Sequence, residues 1–152
     1  MSGNRPEQTV EAVLARVNRP KKVVVTAGMP YANGPLHLGH LAGAHVPADI
    51  CARFNKMLIG DENVVFVCGT DDHGSTSEVA AVKAGKPILD FIHDIHQIQK
   101  ETLSNYDIGL DNYTGTSTPG TIEVHTEKCQ NILRKLYKNK LLEKRSSKQW
   151  YD

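Results

Sequence analysis

The chain of 152 residues is long enough for one domain with a hydrophobic core, and 39% of its residues are hydrophobic against 23% charged. This balance excludes an intrinsically disordered protein. The net charge of +1 favours neither nucleic acid nor a membrane surface as a partner. No stretch reaches the roughly 20 apolar residues that span a bilayer. The three cysteines form no Cys-x-x-Cys pair, so we expect a cytoplasmic protein without disulfides or a zinc knuckle.

The first half of the chain predicts two strands and two helices after an amino-terminal extension. Residues 1–20 form this extension and are polar apart from a short helical pattern. The β-branched run 23–27 shows no alternation and predicts a strand buried on both faces, as in a parallel sheet. The loop 29–35, rich in proline and glycine, leads into a helix predicted over 38–57. A second buried strand is predicted over 64–68 and a helix over 76–84.

The second half predicts helices joined by a turn-like segment. Pro87 suits a first helical position, and apolar residues at helical spacing follow it as far as Leu103. Residues 107–117 are polar and predict turns, and Thr118 before Pro119 predicts the cap and first residue of a last helix. Strands that alternate with helices indicate an α/β fold with a parallel sheet. Because two strands do not form a stable sheet, we expect this sheet to be incomplete.

Two histidines lie three residues apart where the loop after the first strand turns into a helix. Helix amino termini bind phosphates, and His37 and His40 point the same way, so each can donate a hydrogen bond to a phosphoryl oxygen. Gly39 between them lets a base or ribose approach the backbone. The alternatives are that the histidines have no role, or that they bind zinc with Asp71 and His73. Zinc is less favoured because the sequence holds no complete ligand set.

Several segments resemble one family of enzymes. Residues 25–40, with the loop Pro-Tyr-Ala-Asn-Gly before the histidines, resemble the opening of methionyl-tRNA synthetases. Residues 37–40 resemble the His-Ile-Gly-His signature of class I synthetases, with Leu38 in place of isoleucine. Residues 66–74, 111–113 and 149–152 also resemble segments of this family. The resemblance covers residues 21–152 and implies the first half of a Rossmann-like catalytic domain, a parallel sheet with flanking helices.

The resemblance also implies an activity and its residues. ATP, with Mg²⁺, would activate methionine to methionyl-adenylate, and the methionyl group would then pass to tRNA(Met). His37 and His40 would be catalytic, contacting the ATP phosphates. The remaining ATP-site residues would be Tyr31, Asn33, Gly34 and Gly39, and the methionine pocket would contain Gly28, Met29, Tyr31 and Asp71. Asp71 would hold the α-ammonium group, a role that also suits a carboxylate at the carboxyl end of a strand.

The family carries further segments that this sequence lacks, namely Cys-x-x-Cys zinc knuckles and a Lys-Met-Ser-Lys-Ser signature. We therefore expect a fragment, a truncated gene product or one part of a split enzyme that joins the missing remainder. Such a chain would hold no zinc in this segment and would be inactive alone. Two alternatives stay open: a small nucleotidylyltransferase that uses the same histidines, and a truncated relative that binds methionine, ATP or a partner without catalysis.

Four other features receive simple interpretations. His93 and His96 are expected on an exposed helix face rather than at a metal or acid–base site. Cys51 and Cys68 are expected to be small buried residues. The basic segment 128–148 is interpreted as the solvated side of a helix rather than as a tRNA surface. Asp72 receives no role.

Overall fold

The computed structural model describes residues 20–148 and contains three strands. These are β1 (Val23–Thr26), β2 (Val64–Thr70) and β3 (Asn112–Gly115), in the spatial order β1-β2-β3. The helical elements of residues 20–148 are α1 (Leu38–His40), a π-helical turn (Leu41–His45), α2 (Val46–Ile59), a 3-10 turn (Asp61–Asn63), α3 (Ser75–Ala84), α4 (Ile88–Asn105) and α5 (Ile122–Lys138). The helical pattern predicted within residues 1–19 and the segment 149–152 lie outside the described residues.

The α/β fold with a parallel sheet is confirmed, but the sheet has a third strand. β1 and β2 are parallel, with Val23 opposite Val64. β3 lies in the segment that we predicted to be turns. The Asp111 N–H donates to the Phe66 carbonyl at 2.8 Å, and the Thr116 N–H donates to the Thr70 carbonyl at 3.1 Å. The residue number increases in the same direction along both strands from the first bond to the second, so β3 is parallel to β2.

Contacts divide the described residues into two units, each with its own core. The first unit contains residues 20–30, 35–68 and 98–113. One cluster in it joins β1, β2 and α2 through Val25, Ala48, Ala52, Val64 and Phe66. A second cluster in the same unit contains Leu41, Leu103 and Tyr113.

Only one side of the β1–β2 pair is buried, which contradicts the prediction of strands buried on both faces. Val25 is 7% exposed and Phe66 is fully buried, whereas Val24 is 69% and Val65 is 45% exposed. Successive side chains of a strand point to opposite faces, and α2 packs against the Val25 face. In the described part of the chain nothing buries the opposite face to the same degree.

The second unit contains residues 31–34, 69–97 and 114–148, and its core forms around Ala32, Ile92 and Ile95. In this unit the last helix begins later than predicted. Thr118 does not cap it, because its Oγ1 accepts the Gly115 N–H at 2.8 Å and closes a turn. α5 then starts at Ile122 after Thr121. None of the residues of α5, all of which are described, is buried.

Other sequence interpretations have mixed outcomes. The basic residues between 128 and 148 are exposed as expected, but the helix ends at Lys138, so only the first part of the segment is helical. The prediction that Cys51 is buried is wrong, because this residue of α2 is exposed. Cys68 is half-buried rather than fully buried. His93 is exposed as expected, but His96 is buried with 4% exposure. Among residues 20–148 no helix is long and apolar enough to cross a membrane.

Candidate active site

The start of the first helix is built by its two histidines. His37 has extended backbone angles (φ −115°, ψ 171°) and is the N-cap residue of α1. Its Nδ1 accepts the Gly39 N–H at 3.1 Å, and the Nδ1 of His40 accepts the His37 N–H at 3.2 Å. This arrangement is a reciprocal capping box in which imidazole nitrogens replace the usual hydroxyl and carboxylate oxygens. The sequence predicted a helix start here, but not that the histidines would make it.

The cap selects one tautomer for each ring in its neutral form. A neutral imidazole that accepts a hydrogen bond at Nδ1 carries its proton on Nε2, so both Nε2–H groups are donors. The two rings stack with centroids 3.8 Å apart, which holds them side by side. Partial burial, and next the neighbouring His37, lower the pKa of His40. The lowered pKa favours the neutral form of His40, in which Nδ1 can accept the His37 N–H.

The space beside Gly39, which has no side chain, is occupied by the His37 ring. A Cβ at this position would lie 2.9 Å from Cε1 and 3.0 Å from Nδ1 of the His37 imidazole. Real Cβ atoms do not come closer than about 3.0 Å to such neighbours, so a side chain at residue 39 would require the His37 ring to shift. The space that we assigned to a nucleotide is thus also required by His37.

A π-helical turn follows the two histidines at once. It covers Leu41–His45, and the Val46 N–H donates to the Leu41 carbonyl five residues earlier. Such turns are frequent at functional sites. This one buries His45 completely, and neither ring nitrogen has a hydrogen-bond partner within residues 20–148. Burial, and next His40, lower the pKa of His45. Sequence reasoning missed this residue, because a histidine in a helix gives no signal that it is buried.

The loop after β1 carries two of the predicted methionine-pocket residues. Met29 is about half exposed. A Cβ on Gly28 would meet only Ala44, at an ordinary 3.9 Å. The carbonyls of Ala27 and Gly28 lie 3.7 and 3.9 Å from the Cys68 sulfur. Within the first unit, the loop is therefore anchored to β2, and it leaves the Met29 side chain accessible.

In the second unit, the structure brings Tyr31 together with Asp71. The two residues form a parallel bridge, and the Ala32 N–H donates to the Asp71 carbonyl at 3.1 Å. The Asp71 carboxylate accepts the His73 N–H at 3.4 Å and is half-buried. A Cβ on Gly74 would meet the Tyr31 ring at 3.6 Å. Asn33 is exposed and Gly34 is half-buried in the loop that follows Tyr31.

Asp72, which received no role from the sequence, holds the segment after β3. Its backbone N–H donates to Thr116 Oγ1 at 3.0 Å. Its Oδ2 accepts the N–H and the hydroxyl of Ser117 at 2.7 and 2.8 Å. The residue is only 4% exposed. Nearby in the chain, buried Thr70 Oγ1 lies 2.9 Å from His96 Nδ1, which explains why His96 does not face solvent. These partners are far apart in the sequence, so residue spacing alone did not predict that they would be in contact.

The zinc alternative, which used His37, His40, Asp71 and His73, gains no support. Among the described residues no group of three or more His, Cys, Asp or Glu side chains is arranged to hold a metal ion. His73 instead stacks on the His125 ring with centroids 5.8 Å apart. The candidate residues therefore form two sets, each within one unit: the histidine cap after the β1 loop, and the Tyr31–Asp71 pair.

Comparisons with solved structures give the fold and its relatives. Methionyl-tRNA synthetase of Mycobacterium tuberculosis, in a structure described as bound by methionyl-adenylate, matches with a TM-score of 0.60 and 28% identity. That match covers 65% of this chain and 19% of the other. A LeuRS–tRNA–LeuAMS complex of Agrobacterium radiobacter K84 matches with a TM-score of 0.66 and 26% identity over 82% of this chain and 15% of the other.

Curated sequences give a closer relation. The methionine–tRNA ligase of Rubrobacter xylanophilus is 39% identical over 137 residues, which are 90% of this chain and 23% of the relative. That of Methanobrevibacter smithii is 38% identical over 130 residues, or 86% and 19%. The chain thus spans about a quarter or less of the length of these relatives. A family model described as tRNA synthetases class I (M) matches residues 23–152. The chain therefore belongs to the class I (M) family of tRNA synthetases.

Proposed function

We propose that this chain supplies part of the site at which a methionine–tRNA ligase activates methionine with ATP. The curated relatives carry that name. The observation that carries the proposal is the histidine cap. Because both Nδ1 atoms accept backbone N–H groups, both Nε2–H groups are left to donate to the oxygens of a phosphate. A nucleotidylyltransferase would use the same donors, but the family relation favours the ligase.

The proposed reaction is an attack on phosphorus. A carboxylate oxygen of methionine bonds to the α-phosphorus of ATP, the bond to the bridging oxygen breaks, and pyrophosphate leaves with that electron pair. Negative charge grows on the phosphoryl oxygens during this step. His37 and His40 stabilise it by hydrogen bonds that are already oriented by the cap, which lowers the barrier without a cost of reorganisation. Mg²⁺ accompanies ATP as a substrate ion.

The other assigned residues bind the two substrates. Asp71 pairs with the α-ammonium group of methionine, and the backbone pairing of its neighbourhood to Tyr31 and Ala32 keeps its carboxylate in place. The remaining residues are assigned as before: Gly28, Met29 and Tyr31 to methionine, and Tyr31, Asn33, Gly34 and Gly39 to ATP. In the second step a ribose hydroxyl of the 3′ adenosine of tRNA(Met) bonds to the methionyl carbonyl carbon, the bond from that carbon to the phosphate oxygen breaks, and AMP leaves.

In the relatives, the residues that match this chain are part of a longer enzyme. We assign the activity to that longer enzyme. We expect the 152 residues alone to show no turnover and to need the remainder of a synthetase as a partner. A cytoplasmic location, the dependence on Mg²⁺ and the absence of zinc from this segment stay predictions.

A chimera tests the proposal. Residues 23–152 replace the matching segment of the Rubrobacter xylanophilus ligase, and methionine-dependent exchange of pyrophosphate into ATP is measured. We expect exchange from the chimera and none from the 152-residue chain. Circular dichroism and thermal melting establish that the chimera is folded. A folded chimera without exchange, or robust turnover by the chain alone, would overturn the proposal.

A further inference from the structure

The basic residues of the chain are concentrated in one segment of the second unit. Residues 134–148 hold seven of the eighteen Lys and Arg residues of the chain and only one acidic residue, Glu143. All seven basic residues are exposed. Because the net charge of the whole chain is only +1, the residues outside this segment are acidic overall. The positive charge is therefore gathered in one region rather than mixed with negative charge over the surface.

Three of these residues form a stripe along one side of α5. The residues of this basic stripe are Arg134, Lys135 and Lys138. On another side of the helix, His125 stacks on the His73 ring, and Ile122 and Leu136 are half-buried. With about 3.6 residues per turn, the basic stripe lies roughly 160° around the helix axis from the mean direction of the half-buried side. The basic stripe therefore points away from the rest of the second unit.

Acidic partners do not neutralise the basic stripe. Arg134 donates to the neutral amide oxygens of Gln130 and Asn131, both at 2.9 Å. Within residues 20–148, no carboxylate forms an ion pair with Lys135 or Lys138. The helix dipole favours cations in the last turn, but it does not act on the basic residues beyond the helix end. Like charges at these spacings repel one another, and a polyanion bound across them relieves that repulsion.

An exposed aromatic ring helps to distinguish between the classes of polyanion. Tyr137 is 74% exposed and lies in the sequence between residues of the basic stripe. Nucleotide bases stack on such rings, whereas an acidic peptide needs no aromatic partner. An anionic membrane is disfavoured, because an interfacial helix inserts its apolar side, and that side of α5 carries the half-buried Ile122 and Leu136. Basic side chains beside an exposed tyrosine therefore favour RNA.

We propose that the basic stripe and Tyr137 bind the tRNA that receives the methionyl group. The basic stripe contacts phosphate groups, and the Tyr137 ring stacks on an unpaired base. Lys140 and Lys144, exposed beyond the helix end, add positive charge. The choice of tRNA over other RNA rests on the proposed function. The surface shares no residue with the histidine cap or the Tyr31–Asp71 pair, so it serves the transfer step and not the activation of methionine.

The test follows the fluorescence anisotropy of a labelled tRNA(Met) transcript as the full chain is added at several NaCl concentrations. Contacts with three or more phosphates should give a slope of log K against log[salt] of about −2 or steeper, and hence a loss of roughly 20-fold between about 50 and 200 mM. No saturable binding at the lowest salt, or a slope near zero, would overturn the proposal. So would equal competition by poly-L-glutamate at the same charge concentration, or binding to phosphatidylserine vesicles that tRNA(Met) does not displace.

Two triple variants separate the basic stripe from the effect of net charge. In the first, glutamine replaces all three residues of the basic stripe, and we expect binding at about 50 mM salt to weaken at least tenfold and the slope to become shallower by roughly 2. The matched control removes the same charge at exposed positions outside α5, with the substitutions Lys22→Gln, Lys83→Gln and Lys100→Gln. We expect it to change the affinity by roughly twofold or less, because solvent and salt screen distant charges. Equal losses in the two variants would contradict the assignment.

A single substitution tests the aromatic contact. Tyr137→Leu keeps an apolar side chain but removes the ring, and we expect binding to weaken by roughly fivefold or more without a change in the salt slope. Unchanged affinity in a variant that circular dichroism shows to be folded would contradict the stacking. Pyrophosphate exchange by the chimera uses no tRNA. Exchange without tRNA binding by the chain would therefore refute this inference alone, and tRNA binding without exchange would refute only the proposed activation of methionine.

Discussion

Asp111 and Asp94 both have a carboxyl pKa lowered by partners, yet only Asp111 should matter for stability. Oδ2 of Asp111 accepts the Phe66 N–H at 2.7 Å, and Oδ1 lies 3.3 Å from the Lys56 ammonium. Phe66 is fully buried, so this bond satisfies a backbone donor at the core. The Asp94 carboxylate accepts a hydrogen bond from the solvent-exposed Lys86 ammonium at 2.7 Å. Exposed pairs of this kind contribute little.

The expected cost of Asp111→Ala follows from these contacts. A hydrogen bond between a charged acceptor and a buried backbone donor is worth about 2 kcal/mol, and the half-exposed Lys56 pair adds little after screening by solvent. With a urea slope of about 1–3 kcal/mol/M, the unfolding midpoint should fall by roughly 1 M. Asp94→Ala should not shift the midpoint measurably. Equal effects of the two substitutions, measured by circular dichroism in urea, would refute the reasoning.

The pH dependence gives a second readout of the same interaction. The Phe66 backbone hydrogen bond first, and then Lys56, lower the pKa of Asp111 below its ordinary 3.8. A carboxyl with a lowered folded-state pKa stabilises the fold above its unfolded value and loses that contribution as pH falls through the folded value. The difference in stability between the unaltered chain and Asp111→Ala should therefore be constant from about pH 5 to 7 and shrink below about pH 4.

Three further substitutions, the last with a control substitution, test single features of the fold. His45→Leu should raise the free energy of unfolding by about 1 kcal/mol, because it removes a buried ring without hydrogen-bond partners among residues 20–148. The lowered pKa of His45 implies that stability falls below about pH 6.5, and urea titrations at pH 5 and 7 should show a smaller fall in the variant. Gly39→Ala should displace the His37 ring and weaken its hydrogen bond to the backbone N–H of residue 39; an unchanged ¹⁵N shift of the His37 Nδ1 would contradict this. In Gly69→Ala the added methyl group would overlap the backbone of β3, so thermal unfolding should show a loss above about 3 kcal/mol, whereas Gly43→Ala, with open space around it, should be neutral or stabilising.

The sequence predicted the elements whose patterns depend on local chemistry. The Val-rich runs of β1 and β2 and the regular apolar spacing of α4 are strong local signals, and each element lies within a few residues of its predicted place. The helix start at His37 was also predicted, because a loop with prolines and glycine precedes it. Burial on both faces was wrong, since a run of valines indicates a strand but does not show what covers each side.

The missed features depend on contacts between distant residues. Three of the four residues of β3 are polar or small, which alone indicates a turn. The segment becomes a strand because Phe66 and Thr70 accept hydrogen bonds from its flanks. Asp72 stands next to Asp71 in a sequence that suggests a solvated pair, and only its bonds to the segment after β3 show that it is buried. The burial of His96 was missed for the same reason, because its contact with Thr70 joins residues that are distant in the sequence. Such residues receive their roles from the tertiary structure rather than from their neighbours.

The most direct test of the central proposal measures pyrophosphate exchange in the chimera with the cap histidines replaced one at a time. His37→Asn and His40→Asn should each lower kcat by roughly 100-fold or more, with a much smaller change in the KM for methionine, because the lost donors act on charge that grows in the transition state. Circular dichroism provides the control for folding. Full exchange activity in both folded variants would contradict the account, because the phosphate donors would then lie elsewhere.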